Sequence, residues 1–301
     1  FFILSTVNAF KGISQLQQMA RLSGDKVPGE NGFARFFYPY DVRPGRDEAW
    51  YAASKASTID PFVFQKNYPR TLEEALSVAK GLSYFNADAL TAMLDDCREP
   101  IEVRQGGLIR IFRKPVVAGR YVVGGDCAWG EKGSYSVLTI EDFQTGDTMA
   151  QIHGRPALDE VALANVELCR EYNQAYAGIE ENGEGKKVVA KMRELGSGGR
   201  MFCRTPEHPE ARERSWLTDS GSRPKMLSDL EEDVRKRRFV PRDKAEVQEM
   251  MSFIRNEKGR PEAAEGAYAD YVMARAICRQ MRECASWGFG TGRAYRLERT
   301  V

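Results

Sequence analysis

Two carboxylates close apolar runs in this chain: Asp126 ends Tyr121-Val-Val-Gly-Gly-Asp126, and Glu180 ends Ala177-Gly-Ile-Glu180. A third, Asp270, opens a late apolar helix. Its stripe of Met273, Ala276, Ile277 and Met281 has the i, i+3, i+4, i+8 spacing of one helix face. Strand ends lie at the rim of a sheet, so acids from two strands and a facing helix can meet although they are far apart in sequence. Carboxylates crowded in this way repel one another unless a cation sits among them. The cations that suit oxygen donors are magnesium and manganese. Two such ions about 4 Å apart would account for three acids, one ion activating a water and the other stabilising the leaving oxygen of a phosphodiester. The expectation is a metal-dependent nuclease acting on DNA, with Asp126 bridging and Glu180 and Asp270 each holding one side. The blander alternatives are that Asp270 caps its helix or pairs with an arginine, and that Glu180, beside Glu181, is a solvated strand end. Such chemistry needs no histidine. The chain has only His153 and His208, too few to favour a Ser-His-Asp, Cys-His or histidine-zinc site.

The 301 residues allow one large domain or two smaller ones, and 42% hydrophobic residues suffice for a core. With 44 Lys and Arg against 43 Asp and Glu, no global field attracts a polyanion, so contacts with DNA must come from local patches. Six cysteines without a CxxC pair suit reduced thiols better than a disulfide framework or a zinc site. No apolar stretch approaches the roughly 20 residues that span a membrane, and a soluble, intracellular protein is expected.

The elements that must position the acids follow from periodicity. Phe1-Phe-Ile-Leu4 reads as a buried strand, so the chain is expected to begin inside a domain. An aromatic strand is expected over Phe33 to Tyr40, and helices over Asp47–Lys55, Leu72–Ala79 and Ala87–Cys97. The Gly- and Pro-rich stretch from Arg98 to Arg120 marks a domain boundary, drawn between residues 105 and 106. Beyond it, strands ending at Asp126, over Ser136–Ile140 and over Thr148–His153 form an antiparallel set. Asp159 is expected to cap a helix leading to the strand that ends at Glu180; a helix over Gly183–Leu195 and a strand near Met201–Arg204 follow. Three strands, helix, strand, helix, strand is an α/β pattern with a mixed sheet.

Several segments match a known family in order and spacing. They are Gly-Gly-Asp126-Cys-Ala-Trp-Gly130, Ser136-Val-Leu138, Thr145-Gly146, Glu171-Tyr-Asn173, Ile-Glu180-Glu-Asn182-Gly-Glu-Gly185, Trp216-Leu-Thr218 and Ala269-Asp270-Tyr-Val-Met-Ala274. Together they resemble the nuclease domain of the large terminase subunit, the DNA-packaging motor of tailed phages. The resemblance implies an RNase H-like fold over residues 106–301, with Asp126, Glu180 and Asp270 as catalytic and metal-binding acids for two Mg2+ or Mn2+ ions. Residues 1–105 are similar to the closing part of the same family's packaging ATPase, through Arg43-Pro-Gly-Arg-Asp47, Trp50 and Tyr68-Pro-Arg-Thr-Leu-Glu-Glu74, and Ser5-Thr6 resembles its coupling motif. This implies an incomplete P-loop ATPase-type α/β segment. No GxxxxGK[ST] sequence occurs, because Asn182-Gly-Glu-Gly-Lys-Lys187 has Glu180 where the first glycine is required. ATP is therefore expected to serve only the full-length protein. The family often carries an acid where Ser134 stands and an acidic pair where Ala269-Asp270 stands, so one metal site is expected to be weaker and manganese to support more activity than magnesium.

The resemblance further implies double-stranded DNA, a portal protein and a small terminase subunit as partners, a homo-oligomeric ring on the capsid, and the cytoplasm of an infected bacterium as location. Arg204, Arg212, Arg214 and Arg223 lie in or beside a loop-rich stretch that could clamp backbone phosphates without reading bases. Arg235-Lys-Arg-Arg238 is either a second DNA patch or a solvated helix end. Other readings are a Holliday-junction resolvase-type nuclease of the same fold, and a nuclease-inactive motor or docking module.

Overall fold

The structure is a computed structural model. It describes residues 19, 22–58, 64, 67–72, 83–128, 133–197, 200–204, 215–256, 259–264 and 267–285. The chain divides into two compact units, with the break after Ala87 and with Met251–Ala267 belonging to the first unit.

In the first unit a helix over Glu48–Ser57 starts where the Asp47 carboxylate accepts from the Trp50 amide, at 2.8 Å. Its Tyr51 packs with Tyr40 and Phe64 in a small aromatic core. The aromatic strand expected over Phe33–Tyr40 is reduced to Ala34–Arg35, paired parallel with Gly24–Asp25. The two-residue pairing leaves no ladder along which the rings could alternate, so Phe36 and Tyr38 stay exposed while Tyr40 turns into the aromatic core. Ser5-Thr6 and nearly all of the expected helix over Leu72–Ala79 lie outside the described residues.

The second unit holds a six-stranded sheet. A helix, α1 (Ala87–Leu94), precedes β1 (Glu102–Arg104), β2 (Ile109–Ile111), β3 (Tyr121–Asp126), β4 (Ser136–Asp142), β5 (Thr148–Gly154), α2 (Leu158–Glu171), β6 (Tyr176–Ile179) and α3 (Gly185–Glu194). Then come α4 (Ser222–Lys236), α5 (Lys244–Met251) and α6 (Asp270–Cys284). The strand order is β1-β2-β5-β4-β3-β6, antiparallel throughout except for β3 and β6. Three antiparallel strands followed by a crossover helix and a fourth strand parallel to the first make this an RNase H-like α/β fold. The strand expected near Met201–Arg204 is replaced by isolated parallel bridges, Ala177 to Met201 and Glu180 to Trp216. One half of that edge is supplied from before the 205–214 stretch and the other half from after it, so no continuous ladder forms. Asp159 does not cap α2: the helix begins one residue earlier, and the Ala157 amide donates to the Glu160 carboxylate at 3.1 Å. Asp159 therefore falls within the first turn.

Strand periodicity sends successive side chains of β3 to opposite faces. Tyr121 and Val123 join Leu138, Ile140 and Ile152 in a core covered by Val161 and Leu168 of α2 and Val188 and Met192 of α3. Each fully buried side chain of this size contributes about 1.5–3 kcal/mol. The other face carries Val122, Gly124 and Asp126, and α6 lies across it. Gly124 pairs with Gly178 of β6 in the parallel ladder. A Cβ on Gly124 would sit 2.1 Å from the Cys278 amide nitrogen, and one on Gly178 would sit 2.3 Å from the Met281 sulfur. Two facing glycines thus let α6 approach the sheet backbone.

A buried ionic network fixes α6 lengthwise. Arg275, 1% exposed, donates to Glu246 of α5 at 2.5 Å, to Glu141 of β4 at 2.8 Å and to the Thr148 hydroxyl of β5 at 2.7 Å. Gln151 also donates to Glu246. Loss of one partner would strand a charge in the interior, at a cost of about 3–5 kcal/mol. Among the described residues no helix is long and apolar enough to cross a membrane.

Candidate metal centre and active site

The glycine-paired strands place the acids. Gly125 stands opposite Ile179, and the Glu180 amide donates to the Gly125 carbonyl at 2.8 Å, so Asp126 and Glu180 emerge side by side where β3 and β6 end. Both positions fall on the α6 face, by the alternation that puts Gly124 and Gly178 there. Asp270 is the first residue of α6 and is 6% exposed. Its carboxylate accepts from the Tyr135 amide at 2.7 Å and from the Ser134 hydroxyl. Ser134 thus spends its donor on the neighbouring acid.

The electrostatics are those of a crowded anionic site. Burial pushes the Asp126 carboxyl well above the usual carboxylate range, followed by the charge of Glu180, a hydrogen bond shared with Glu180, and the charges of Asp270 and Glu249. Two carboxyls joined by a hydrogen bond hold a proton between them, which screens their repulsion. Asp270 is raised by burial; the Tyr135 amide, the Ser134 hydroxyl and the cationic Arg155 pull the other way. Glu249 of α5 is a fourth acid, raised to about 8 by burial and opposed first by the Val272 amide, which it accepts at 2.9 Å. It also accepts from the Tyr271 amide. Glu249 therefore caps the first turn of the helix that carries Asp270.

Among the described residues no three ligating side chains are set closely enough to hold a metal ion as they stand. The donor set nevertheless fits a hard divalent cation. All the candidate ligands are carboxylate oxygens, they come from two adjacent strand ends and a helix start, and after burial the charges of Glu180 and Asp270 push the Asp126 carboxyl upward. Asp126, Glu180 and Asp270 are the residues that would hold it, with Glu249 near enough to bear on both aspartates.

The basic residues divide differently. Arg204 lies 3.4 Å from Asp219 in an ion pair, and Arg223 begins α4 with its amide bonded to the Asp219 carbonyl at 3.0 Å. Arg212 and Arg214 lie outside the described residues. The run Arg235–Arg238 is a neutralised helix end: Arg235 pairs with Glu231, Lys236 with Glu232, Arg237 with Asp96 and Arg238 with Asp233. Two neighbours of the acids, Glu249 and Arg155, were not marked by sequence pattern. Glu249 shares its helix with the buried Val247 and Met250, and its placement depends on α5 docking against the start of α6.

No protein-family model matches the chain, and no curated protein is similar to it. Similar solved structures include the large terminase nuclease from thermophilic phage G20c, at 20% identity over 64% of this chain and 97% of that one, with a TM-score of 0.47. The same nuclease with bound magnesium matches at 19% identity, 64% and 96% coverage and a TM-score of 0.49. The large terminase nuclease domain of Thermus phage P74-26 matches at 21%, 64% and 94%, with a TM-score of 0.47. These likenesses are partial; the fold is assigned from the strand order above.

Proposed function

We propose that this chain is a divalent-metal-dependent endonuclease for double-stranded DNA, the nuclease portion of a tailed-phage terminase large subunit that cuts concatemeric DNA at the start and end of packaging. The observation that supports this reading is that Asp126 and Glu180 stand side by side at two adjacent strand ends, with Asp270 at the helix start near enough for its charge to bear on Asp126. The ordered motifs around those acids support the assignment to terminase. Magnesium or manganese, when bound, supplies the positive charge that activates a water and steadies the leaving oxygen. Asp126 and Glu180 would hold the ion from the two strand ends, and Asp270 is held in place by Tyr135 and Ser134. A portal, a small terminase subunit, a ring on the capsid, ATP in the full-length protein and the cytoplasm of an infected host belong to the same proposal.

The test is plasmid cleavage with magnesium, with manganese and with chelator, comparing the native chain with Asp126→Ala. Metal-dependent cutting that the substitution abolishes is expected; metal-independent cutting, or cutting that survives it, would sink the reading. One observation favours a nuclease-inactive docking module instead, namely that the acids as they stand do not ring an ion. Calorimetric titration with manganese separates the two, because a docking module with a degenerate site takes up none.

A further inference from the structure

Arg155 follows β5 and is exposed, yet it is held in a defined orientation. Its guanidinium lies 4.0 Å over the Tyr135 ring. It donates to the Gly133 carbonyl at 2.6 Å and to the Tyr268 hydroxyl at 3.2 Å. Both bonds leave from Nη2, so the donors on Nη1 and Nε remain unspent among the described residues. With both Nη2 hydrogens used, the remaining donors on Nη1 and Nε point apart, so each can meet one phosphate oxygen singly while the guanidinium keeps its charge. Other arginines of the same unit are neutralised: Arg104 pairs with Glu171, Arg110 with Asp243, Arg113 and Arg242 with Asp147. Arg155 has no carboxylate within ion-pair distance among the described residues, although its charge reaches Asp270.

Arg155 also borders a groove of about 680 Å³ lined by Tyr135, His153, Leu108, Gly106 and Gly107. His153 is stacked between Tyr135 and Tyr271, with ring centroids 4.5 and 4.8 Å away. Burial and the neighbouring Arg110 lower its pKa to about 4, so it is neutral at pH 7. Gly106 and Gly107 take positive φ values of 63° and 103°, and a Cβ on either would meet nothing within 4 Å. Apart from Glu160, the groove therefore has open walls of ring and backbone, and Arg155 supplies its cation. Glu160, the acid that also lines it, is engaged by the Ala157 amide. Tyr135 joins the groove to the acids, since its amide holds Asp270 while its ring underlies Arg155.

We propose that Arg155 is a phosphate-positioning residue: its charge, held in place over Tyr135, and its unspent Nη1 donors hold a backbone phosphate of one DNA strand lying in this groove, and so set a neighbouring phosphodiester against Asp126, Glu180 and Asp270. This rests on the nuclease reading above and adds a named strand path to it. Contact with a phosphate carries no sequence information, so the grip acts alike on unrelated sequences.

The test uses the full chain and a short labelled duplex, with binding measured in chelator across a range of salt concentrations and cleavage measured separately with manganese. Arg155→Ala is expected to weaken binding about tenfold and to make the dependence of log affinity on log salt shallower by about one. Arg104→Ala, which removes an already paired arginine, should leave that slope unchanged. Arg155→Lys keeps the charge but not the planar group that lies over Tyr135 and is tied to Gly133 and Tyr268, so it should retain the slope and lose cleavage rate. If Arg155→Ala binds with the native slope and cuts at the native rate, while the native chain still requires metal and Asp126, the inference about Arg155 falls and the nuclease reading stands. A native chain that neither binds nor cuts DNA overturns both. Should Arg155→Ala not fold, Arg155→Lys decides, because native-rate cutting by that variant excludes a positioning role for the held guanidinium.

Discussion

At the scale of single residues, the site trades stability for readiness to bind a cation. Glu249 holds its proton to about pH 8 in the folded chain, against an ordinary 4.5, so the folded state binds that proton more tightly than the unfolded state does. The stabilisation is fully present below pH 4.5 and is lost as pH rises toward 8. In chelator the melting temperature is therefore expected to fall across that window, and Glu249→Gln should flatten the decline; an unchanged profile in the variant would contradict the assignment. Asp126→Asn removes the most crowded negative charge. It is expected to melt a few degrees higher than the native chain at pH 8 in chelator while reducing metal-dependent cutting to background, as seen by parallel thermal melts and plasmid assays. Asp126, Glu180 and Asp270 could be found in sequence because each stands at the end of an apolar run, where periodicity alone gives its place. Glu249 and Arg155 could not, since one depends on a helix docking and the other on rings contributed by distant segments.

At the scale of elements, the chemistry depends on how closely α6 lies on β3 and β6. Gly124→Ala would drive a methyl into the backbone of α6 at Cys278 and Ala274, and neither can yield by changing rotamer. The cost should be about 3 kcal/mol or more, read by urea denaturation, with a displaced Asp270 and lost cutting even at temperatures where the variant stays folded. Conservation of fold with native stability in Gly124→Ala would show that the approach is not needed. The strands β3, β4, β5 and β6 were legible because each is a run rich in apolar residues set off by turn or helix signals. The strand expected near Met201–Arg204 does not form as one, because its pairing is shared between Met201 and Trp216, which a local window cannot join. Phe33–Tyr40 misled for the opposite reason: its residues suit a strand, but among the described residues only Ala34–Arg35 finds a strand to pair with.

At the scale of the whole molecule, binding of a cation should couple to folding. An ion that binds only the native site raises stability in proportion to the logarithm of its concentration over its dissociation constant. Manganese is expected to raise the melting temperature of the native chain more than magnesium does, because magnesium makes the stricter demand on oxygen geometry, and Asp126→Ala should show no increase with either. Equal shifts in native and variant chains would place the bound ions elsewhere. The close seat of α6 also has a genetic reading. At Gly178 the obstacle to a methyl is the flexible side chain of Met281, whereas at Gly124 it is main chain. In a selection for function, Gly178→Ala should be rescued by a smaller residue at position 281, and the two positions should drift together among descendants of this sequence. Gly124→Ala should yield no suppressor on α6 at all, which makes one of two adjacent glycines negotiable and the other permanent.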